Sequence, residues 1–254
     1  MKTEILYEDN SILVIRKPAG LAVQSAGIGQ PDVVSELKSH LAKLPGAGRP
    51  GKGEPYLGIV HRLDQPVEGL LVFAKDKKAA AALSKQLAEG ALNKHYYAVL
   101  CGYPDCPEGD LVDYLRKEGN VAVAVTGREQ EFADAKIAAL HYRILEEIND
   151  PSPLALADVT IGTGRFHQIR VQFAHAGFPL LGDTKYGTAA RKEAMPAQKY
   201  RGVALCAYSL ELVHPISGKK MGFRVVPKNP AFAGFAMEEL KKLTENETGI
   251  SKRG

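Results

Sequence analysis

The sequence predicts an α/β protein of the α+β type, in which one central, mainly antiparallel mixed sheet is flanked by helices and loops. Short apolar segments of strand length recur along the chain between turns rich in Gly, Pro, Asn and Asp. A few segments instead show the features of helices. Several neighbouring strands are joined by short turns, which favours antiparallel pairing.

The first part of the chain alternates strands and helices. Two short strands flank the polar turn Asp9–Ser11. Apolar residues at helical spacing predict an amphipathic helix over residues 32–44. The contiguous apolar segment LLVFAK, residues 70–75, has the length of a buried strand. An Ala-, Lys- and Leu-rich helix is expected over residues 77–89, and KHYYAVLCG, residues 94–102, is the next strand.

The second part of the chain continues with strands, one helix and a hairpin. Residues 164–177 are expected to form a helix that ends at a glycine and carries His167 and Arg170 on one face. Residues 204–226 indicate a hairpin with its turn near Pro215–Gly218. The remaining predicted strands lie within residues 121–125, 132–147 and 154–162.

The composition is typical of a single globular domain. The chain has 254 residues, of which 45% are hydrophobic, and it shows no internal repeat or linker. We therefore expect one domain over residues 1–243 and a polar tail over residues 244–254. The formal net charge of +4 permits a nucleic-acid partner without requiring one.

The cysteines and the N-terminal segment bear on the compartment. The three cysteines are too few and too irregular for a disulfide framework, and no C-x-x-C pair indicates structural zinc. The N-terminal segment has no apolar stretch of signal length, and no segment approaches the ~20 apolar residues that a membrane span needs. We expect a soluble, cytoplasmic monomer with no membrane partner.

Two segments carry the candidate functional residues. HRLDQPVEG, residues 61–69, places Asp64 beside Arg62 just before the predicted buried strand. Taken alone, such an aspartate fits a structural ion pair or a turn cap better than a catalytic role. The second segment, GTGRFHQIRV, residues 162–171, offers another arginine beside glycines that permit close approach of a large ligand. The two segments together favour a functional site.

Five segments occur in a specific order and spacing: DNSILVIRKPAG, HRLD followed by GLLVFAK, NKHYYAVLCG, GRFHQIRVQFAHAGFPLLGDTKYG and LELVHP. In this they resemble the RluA-type pseudouridine synthases, which isomerise uridine in RNA. The resemblance implies one pseudouridine synthase catalytic domain that needs no metal and no cofactor. Because the chain opens directly on these segments, we expect no N-terminal S4-like domain and RNA recognition by the catalytic domain itself.

The resemblance implies three catalytic residues. The Asp64 carboxylate attacks the ribose of a flipped uridine or removes a ribose proton, after which the uracil detaches, turns and rejoins through C5. Arg170 keeps that carboxylate ionised, as a nearby guanidinium does. Tyr96 stacks on the uracil and assists proton removal at C5. Without the resemblance, a tyrosine in a strand fits a core position better.

The resemblance also implies substrate contacts. Arg62 matches the residue that enters the RNA stack where the uridine has left, and a solvated or phosphate-bound side chain is the alternative. Leu205 matches an apolar residue that packs against the active site, and a core leucine is the alternative. The other expected substrate-binding residues are His61, His167, Gln168 and Lys94.

Two histidines and several basic residues are candidates for binding a metal or a phosphate. His61 and His167 lack a third ligand at a recognisable spacing, so the sequence favours hydrogen-bonded roles for both and no metal. Lysines at the surface are usually only solubilising, but several basic residues are also candidate phosphate contacts. These are Lys94, Lys185 and the basic-loop residues Arg49 and Lys52.

One turn departs from the family pattern. Relatives usually carry Thr-Ser after the aspartate turn, whereas this chain has Val67 and Glu68 and so lacks two hydroxyls that can fix the turn. We therefore expect differences in the loop and in the choice of RNA rather than in the reaction.

Two other functions compete with this interpretation. The altered turn favours an RNA-binding protein that has lost catalysis, but such a protein has no need of Asp64, Tyr96 and Arg170 together. HRLD is similar to a kinase catalytic loop, but its Leu breaks the H-R-D spacing and no Gly-rich nucleotide loop precedes it.

The expected partner is a stem-loop of ribosomal or transfer RNA, because the unpaired bases of a loop can be splayed out.

Overall fold

The computed structural model describes residues 1–25, 27, 29–44, 54–126, 134–149, 152–187 and 202–236. Within these residues lie eleven β-strands, three α-helices and one short 3-10 helix, which confirms the predicted α+β class. The basic loop with Arg49 and Lys52 and the predicted tail lie outside the described residues.

The chain divides into two compact units, residues 1–94 with 207–225 and residues 95–206 with 226–254. The expected single domain over residues 1–243 stays a prediction.

The first unit is built on a short sheet with two helices. Its strands follow the order β1-β2-β4-β10, with β3 paired to β4 and β11 paired to β10. The pairs β1–β2, β2–β4, β3–β4 and β10–β11 are antiparallel. The elements are β1 (Glu4–Glu8), β2 (Ile12–Lys17), α1 (Val33–Leu41), β3 (Gly58–Ile59), β4 (Glu68–Ala74), α2 (Lys77–Ala88), β10 (Leu205–Val213) and β11 (Lys220–Arg224). The first two residues of β10 are counted with the second unit.

β2 and β4 form the centre of the first unit. Every residue of both strands is buried, as the contiguous apolar segment at residues 70–75 predicts for β4. The strands pair antiparallel from Ile12 opposite Ala74 to Lys17 opposite Gly69. This register places the end of β2 beside the start of β4, where the turn with Asp64 enters the sheet.

Both predicted helices of this unit begin at an aspartate. The side chain of Asp32 accepts a hydrogen bond from the backbone N–H of Ser35 at the start of α1, and Asp76 does the same for Ala79 at the start of α2. Such caps satisfy backbone donors that have no partner inside the helix. Both helices and the hairpin of β10 and β11 are confirmed.

The second unit is an antiparallel sheet with one helix. Its strands follow the order β5-β9-β8-β6-β7, and each neighbouring pair is antiparallel. The sequence does not predict β6, because seven of its eleven residues are charged or glycine. The elements are β5 (Asn93–Cys101), β6 (Glu108–Glu118), β7 (Val121–Val125), β8 (Lys136–Ile148), β9 (Leu154–Ile161), α3 (Gln168–His175) and the 3-10 helix Pro230–Phe232. The first two residues of β5 are counted with the first unit.

The third helix is shorter than predicted. The expected span of 164–177 is wrong at its start, because α3 begins at Gln168. His167 adopts a left-handed backbone conformation with φ of 55°, which cannot continue a right-handed helix. Within α3, Val171 packs against Leu115, Ala122 and Ala138 of the sheet. This packing holds the helix that carries Arg170 on the β6–β7–β8 face.

Candidate active site

Asp64 lies in the turn that leads into β4. The backbone N–H of Val67 donates to the Asp64 carbonyl at 3.1 Å and closes the turn. The Asp64 side chain is half-buried, whereas Arg62, two residues earlier, is exposed. A carboxylate at this place is partly shielded from water and still reachable by a ligand.

The turn is tied to the end of β2 by hydrogen bonds at Gln65. The Gln65 carbonyl accepts from the backbone N–H of Gly20 at 2.8 Å and from Lys17 Nζ at 3.1 Å. The Gln65 side-chain amide donates to the Gly20 carbonyl at 3.1 Å. Lys17 Nζ also donates to the carbonyls of Leu21 at 2.7 Å and Pro18 at 3.0 Å. The Lys17 side chain therefore joins two loops and fixes the residue after Asp64.

Two opposing effects act on the pKa of Lys17. Lys17 is completely buried. Burial lowers its pKa from 10.5 to about 7, although the nearby carboxylates of Asp64 and Glu68 raise it. The ammonium form has three donors for three carbonyls, and the charge of Asp64 favours that form. Lys17 therefore changes charge near neutral pH in the folded chain.

We expect this group to make stability depend on pH. Between pH 7 and 10.5 the unfolded chain holds the Lys17 proton and the folded chain does not, so the contribution of Lys17 rises with pH. The slope for one proton is about 1.4 kcal/mol per pH unit. Lys17→Met should lack this rise when urea unfolding is measured across that range. Lys43→Met, which removes an exposed lysine, is the control, and an identical slope in wild type and Lys17→Met would contradict the prediction.

The departure from the family turn has a structural explanation. Val67 is buried, and the buried Glu68 pairs with Arg16 of β2 at 3.4 Å between Nη2 and Oε2. Gly69 has φ of 128°, and a Cβ there would lie 2.5 Å from backbone atoms of Ala207, so only glycine fits. An ion pair, apolar packing and a close backbone approach thus hold the turn without hydroxyl groups.

His61 is held as a neutral imidazole. Burial, and then the charge of Lys94, lower its pKa to about 3. Its Nε2 accepts a hydrogen bond from the backbone N–H of Val72 at 3.3 Å, which leaves the proton on Nδ1. Among the described residues Nδ1 has no hydrogen-bond partner. Burial also lowers the pKa of Lys94.

In the second unit, Arg170 forms a bidentate ion pair with Asp183. Nε lies 2.7 Å from Oδ2 and Nη2 lies 2.9 Å from Oδ1, and both side chains are buried. The sequence analysis did not predict a role for Asp183. A buried guanidinium requires a carboxylate partner, and Asp183 is the one acidic residue of the segment GRFHQIRVQFAHAGFPLLGDTKYG, so the sequence does indicate it as a partner of Arg170.

Asp183 also positions a tyrosine beside Arg170. Its Oδ1 accepts hydrogen bonds from the backbone N–H groups of Lys185 at 3.0 Å and Tyr186 at 3.2 Å. The guanidinium of Arg170 lies 5.1 Å from the centre of the Tyr186 ring. The Tyr186 hydroxyl is hydrogen-bonded to His167 Nδ1 at 2.6 Å. His167, Arg170, Asp183 and Tyr186 therefore form one connected group.

Comparison with known proteins identifies the family. Residues 11–175 match the RNA pseudouridylate synthase family. This chain belongs to that family. It is 37% identical over 227 residues to ribosomal large subunit pseudouridine synthase D of Zymomonas mobilis, with 87% of this chain and 68% of the relative covered. It is 38% identical over 226 residues to an uncharacterized RNA pseudouridine synthase of Synechocystis, with 85% and 63% covered.

A solved structure shows the same fold. The human RNA pseudouridylate synthase domain containing 4 superposes with a TM-score of 0.69 at 24% identity, covering 94% of this chain and 93% of the other. The family assignment confirms the predicted RNA pseudouridine synthase and its enzyme class. The chain spans about two-thirds of the length of the two curated relatives, 68% and 63%.

The predicted site residues fall into both units of this pseudouridylate synthase. The first unit contains His61, Arg62, Asp64 and Lys94, and the second contains Tyr96, His167, Gln168, Arg170 and Leu205. All except Leu205 fall within the residues that match the family. The predicted contact of Arg170 with Asp64 and the roles of all these residues toward substrate stay predictions.

Three predicted site residues of the second unit have clear local environments. Tyr96 and Leu205 are buried in β5 and β10. The Gln168 side chain accepts from the Thr163 hydroxyl at 2.7 Å and donates to the Ala139 carbonyl at 3.0 Å. These bonds give Gln168 a role in holding the loop before α3.

The part of the chain that the structure describes contains neither a group of metal ligands nor a membrane-spanning helix. In the part of the chain that the structure describes, no three His, Cys, Asp or Glu side chains are grouped closely enough to hold a metal ion. No helix within that part has the length and apolar character to cross a membrane.

Proposed function

We propose that this pseudouridylate synthase converts uridine to pseudouridine in ribosomal RNA, with Asp64 as the catalytic carboxylate. One observation carries the proposal. Asp64 lies in a turn that Lys17 and Gly20 hold through the Gln65 carbonyl, inside the residues that match the family. Active sites need this kind of support, because a reactive group must be held in a productive geometry.

The reaction requires a carboxylate that stays ionised near the ribose. Asp64 either attacks the sugar at C1′ or removes a ribose proton, and in both cases the bond between C1′ and N1 of uracil breaks. The uracil turns, C5 bonds to C1′, and the C5 proton is transferred to N1 by way of a base. The product is an isomer of the substrate, so no redox partner is consumed.

The other residues assist this carboxylate and the base. The positive charge of Arg170 favours the ionised form of Asp64. Tyr96 stacks on the uracil and assists removal of the C5 proton. Arg62, which is exposed, enters the RNA stack from which the uridine has turned out. Leu205, His61, His167, Gln168 and Lys94 line or support the binding site.

The proposed target is a stem-loop of ribosomal RNA, with transfer RNA as the other RNA class. Large-subunit ribosomal RNA is favoured because the Zymomonas relative is named as a ribosomal large subunit pseudouridine synthase. Unpaired bases in a loop can be turned out at lower cost than paired ones. We propose that the chain acts in the cytoplasm as a monomer.

Mapping of pseudouridines tests this function. We expect cells without the protein to lose pseudouridine at one or a few positions of large-subunit ribosomal RNA. Complementation with wild type should restore those positions, and Asp64→Asn should not. Loss at transfer-RNA positions alone would change the substrate and keep the reaction. If no position changed and the purified protein modified neither class of RNA, a protein that only binds RNA would explain the chain better.

A further inference from the structure

An exposed aromatic ring lies just before α3. The Phe166 side chain is 41% exposed, and its ring stacks on the His167 ring with centroids 3.7 Å apart and an interplanar angle of 23°. Lys117 Nζ lies 5.0 Å from the centre of the Phe166 ring. An aromatic face beside a cation is the combination that binds unpaired bases of nucleic acids.

The loop that carries Phe166 is fixed to the sheet on both sides of the ring. Arg165 Nε donates to the Ile137 carbonyl at 2.9 Å, and the Arg165 backbone N–H donates to Gln168 Oε1 at 3.0 Å. The Thr163 hydroxyl accepts from the backbone N–H of Ala139 at 3.2 Å. Because the loop is held by β8, the ring is presented in one orientation, and binding costs little ordering entropy.

His167, whose ring stacks on Phe166, has an unusual backbone conformation. His167 is the one non-glycine residue with positive φ in the part of the chain that the structure describes. Such conformations persist where the surrounding contacts enforce them, often at functional sites. Here the hydrogen bond between His167 Nδ1 and the Tyr186 hydroxyl holds the imidazole in place. Through Tyr186, the stack at Phe166 is connected to Arg170.

The charge beside Phe166 suits a phosphate backbone. Arg116 is paired with Glu118, whereas Lys117 forms no ion pair with any residue that the structure describes. Arg165 is exposed next to the ring. A base that stacks on Phe166 displaces the ammonium from the ring, because base stacking is stronger than an exposed cation–π contact. The flexible Lys117 side chain can then bind the adjacent phosphate.

We propose that Phe166 and Lys117 form a stacking subsite for one unpaired base of the RNA substrate, with the phosphate next to that base bound by Lys117. The subsite deepens the proposed function, on which it rests for the identity of the RNA. It accounts for an exposed phenylalanine that is rigidly supported, has a cation over its ring and lies four residues before Arg170.

The absence of tryptophan from the sequence allows a direct test. Phe166→Trp introduces a single indole at the subsite, and Leu145→Trp introduces one at a site of matched exposure, 43%, beside two glutamates in the same unit. On addition of an oligouridylate of about ten nucleotides, the emission of Phe166→Trp should fall by about twofold or more, because the base stacks on the indole. The emission of Leu145→Trp should not change. Equal responses of the two variants would overturn the subsite.

Affinity provides a second test with the same oligouridylate. Phe166→Ala should weaken binding by about tenfold, the equivalent of one lost stacked base, and Phe166→Tyr should bind like wild type. Lys117→Ala should reduce the slope of log affinity against log salt by about 1. Wild-type affinity of Phe166→Ala, with thermal unfolding unchanged, would overturn the proposal.

The subsite and the proposed function fail in different ways. Pseudouridine formation in ribosomal RNA by both wild type and Phe166→Ala at equal rates would leave the function standing and remove the subsite. Quenching at Phe166→Trp without any pseudouridine formation by wild type would support the subsite and remove the function.

Discussion

Asp64→Asn is expected to remove pseudouridine formation while the chain stays folded. The amide has the shape of the carboxylate but cannot act as a nucleophile or base at neutral pH, so turnover on ribosomal RNA should fall by at least about 10³-fold. The side chain is half-buried, and the hydrogen bonds at Gln65 that hold its turn do not involve the carboxylate. The rate is measured by release of tritium from C5-labelled uridine in a ribosomal RNA transcript.

The pH dependence of urea unfolding provides a second readout. Asp64 raises the pKa of Lys17, so loss of the Asp64 charge should lower that pKa further and shift the rise in stability to lower pH. The matched control is Asp76→Asn, because Asp76 caps α2 in the same unit and asparagine caps equally well. This control should keep full activity. Turnover by Asp64→Asn at a rate near that of wild type would show that another group carries the reaction.

Asp183→Asn is expected to have the largest effect on stability. Loss of the Asp183 charge leaves the buried guanidinium of Arg170 without its bidentate partner, and breaking such a pair costs about 3–5 kcal/mol. The turn that positions Tyr186 also loses its charged acceptor. The free energy of unfolding in urea measures the change. Activity should fall with it, because Arg170 then loses the orientation that its proposed role requires.

A double variant separates stability from catalysis. Replacing both partners, with Asp183→Leu and Arg170→Met, removes both charges of the pair and should give a more stable chain than Asp183→Leu alone. Its activity should stay low, because the charge of Arg170 is gone. Glu118→Gln breaks the exposed pair with Arg116 and serves as the control that leaves the unfolding midpoint unchanged. A wild-type unfolding free energy for Asp183→Asn would contradict the importance of the buried pair.

The sequence by itself determined the elements whose signals are local. The contiguous apolar segment of residues 70–75 predicts the buried strand β4, and apolar spacing and composition predict α1 and α2, because these signals lie within the element itself. The resemblance of five segments to a family likewise identified the reaction, which the comparison confirmed. The placement of Asp64 just before a buried strand was also local information.

Only the tertiary structure decided how the candidate site is supported. Lys17 reaches the Gln65 carbonyl across 48 positions of the chain, and Arg170 reaches Asp183 across 13. No local pattern specifies such partners, because they meet through strand register and helix packing. Tertiary contacts also decide where α3 begins. Residues 164–167 directly precede the helical residues, but contacts with β8 and Tyr186 hold His167 in a left-handed conformation. The helix therefore begins one residue later.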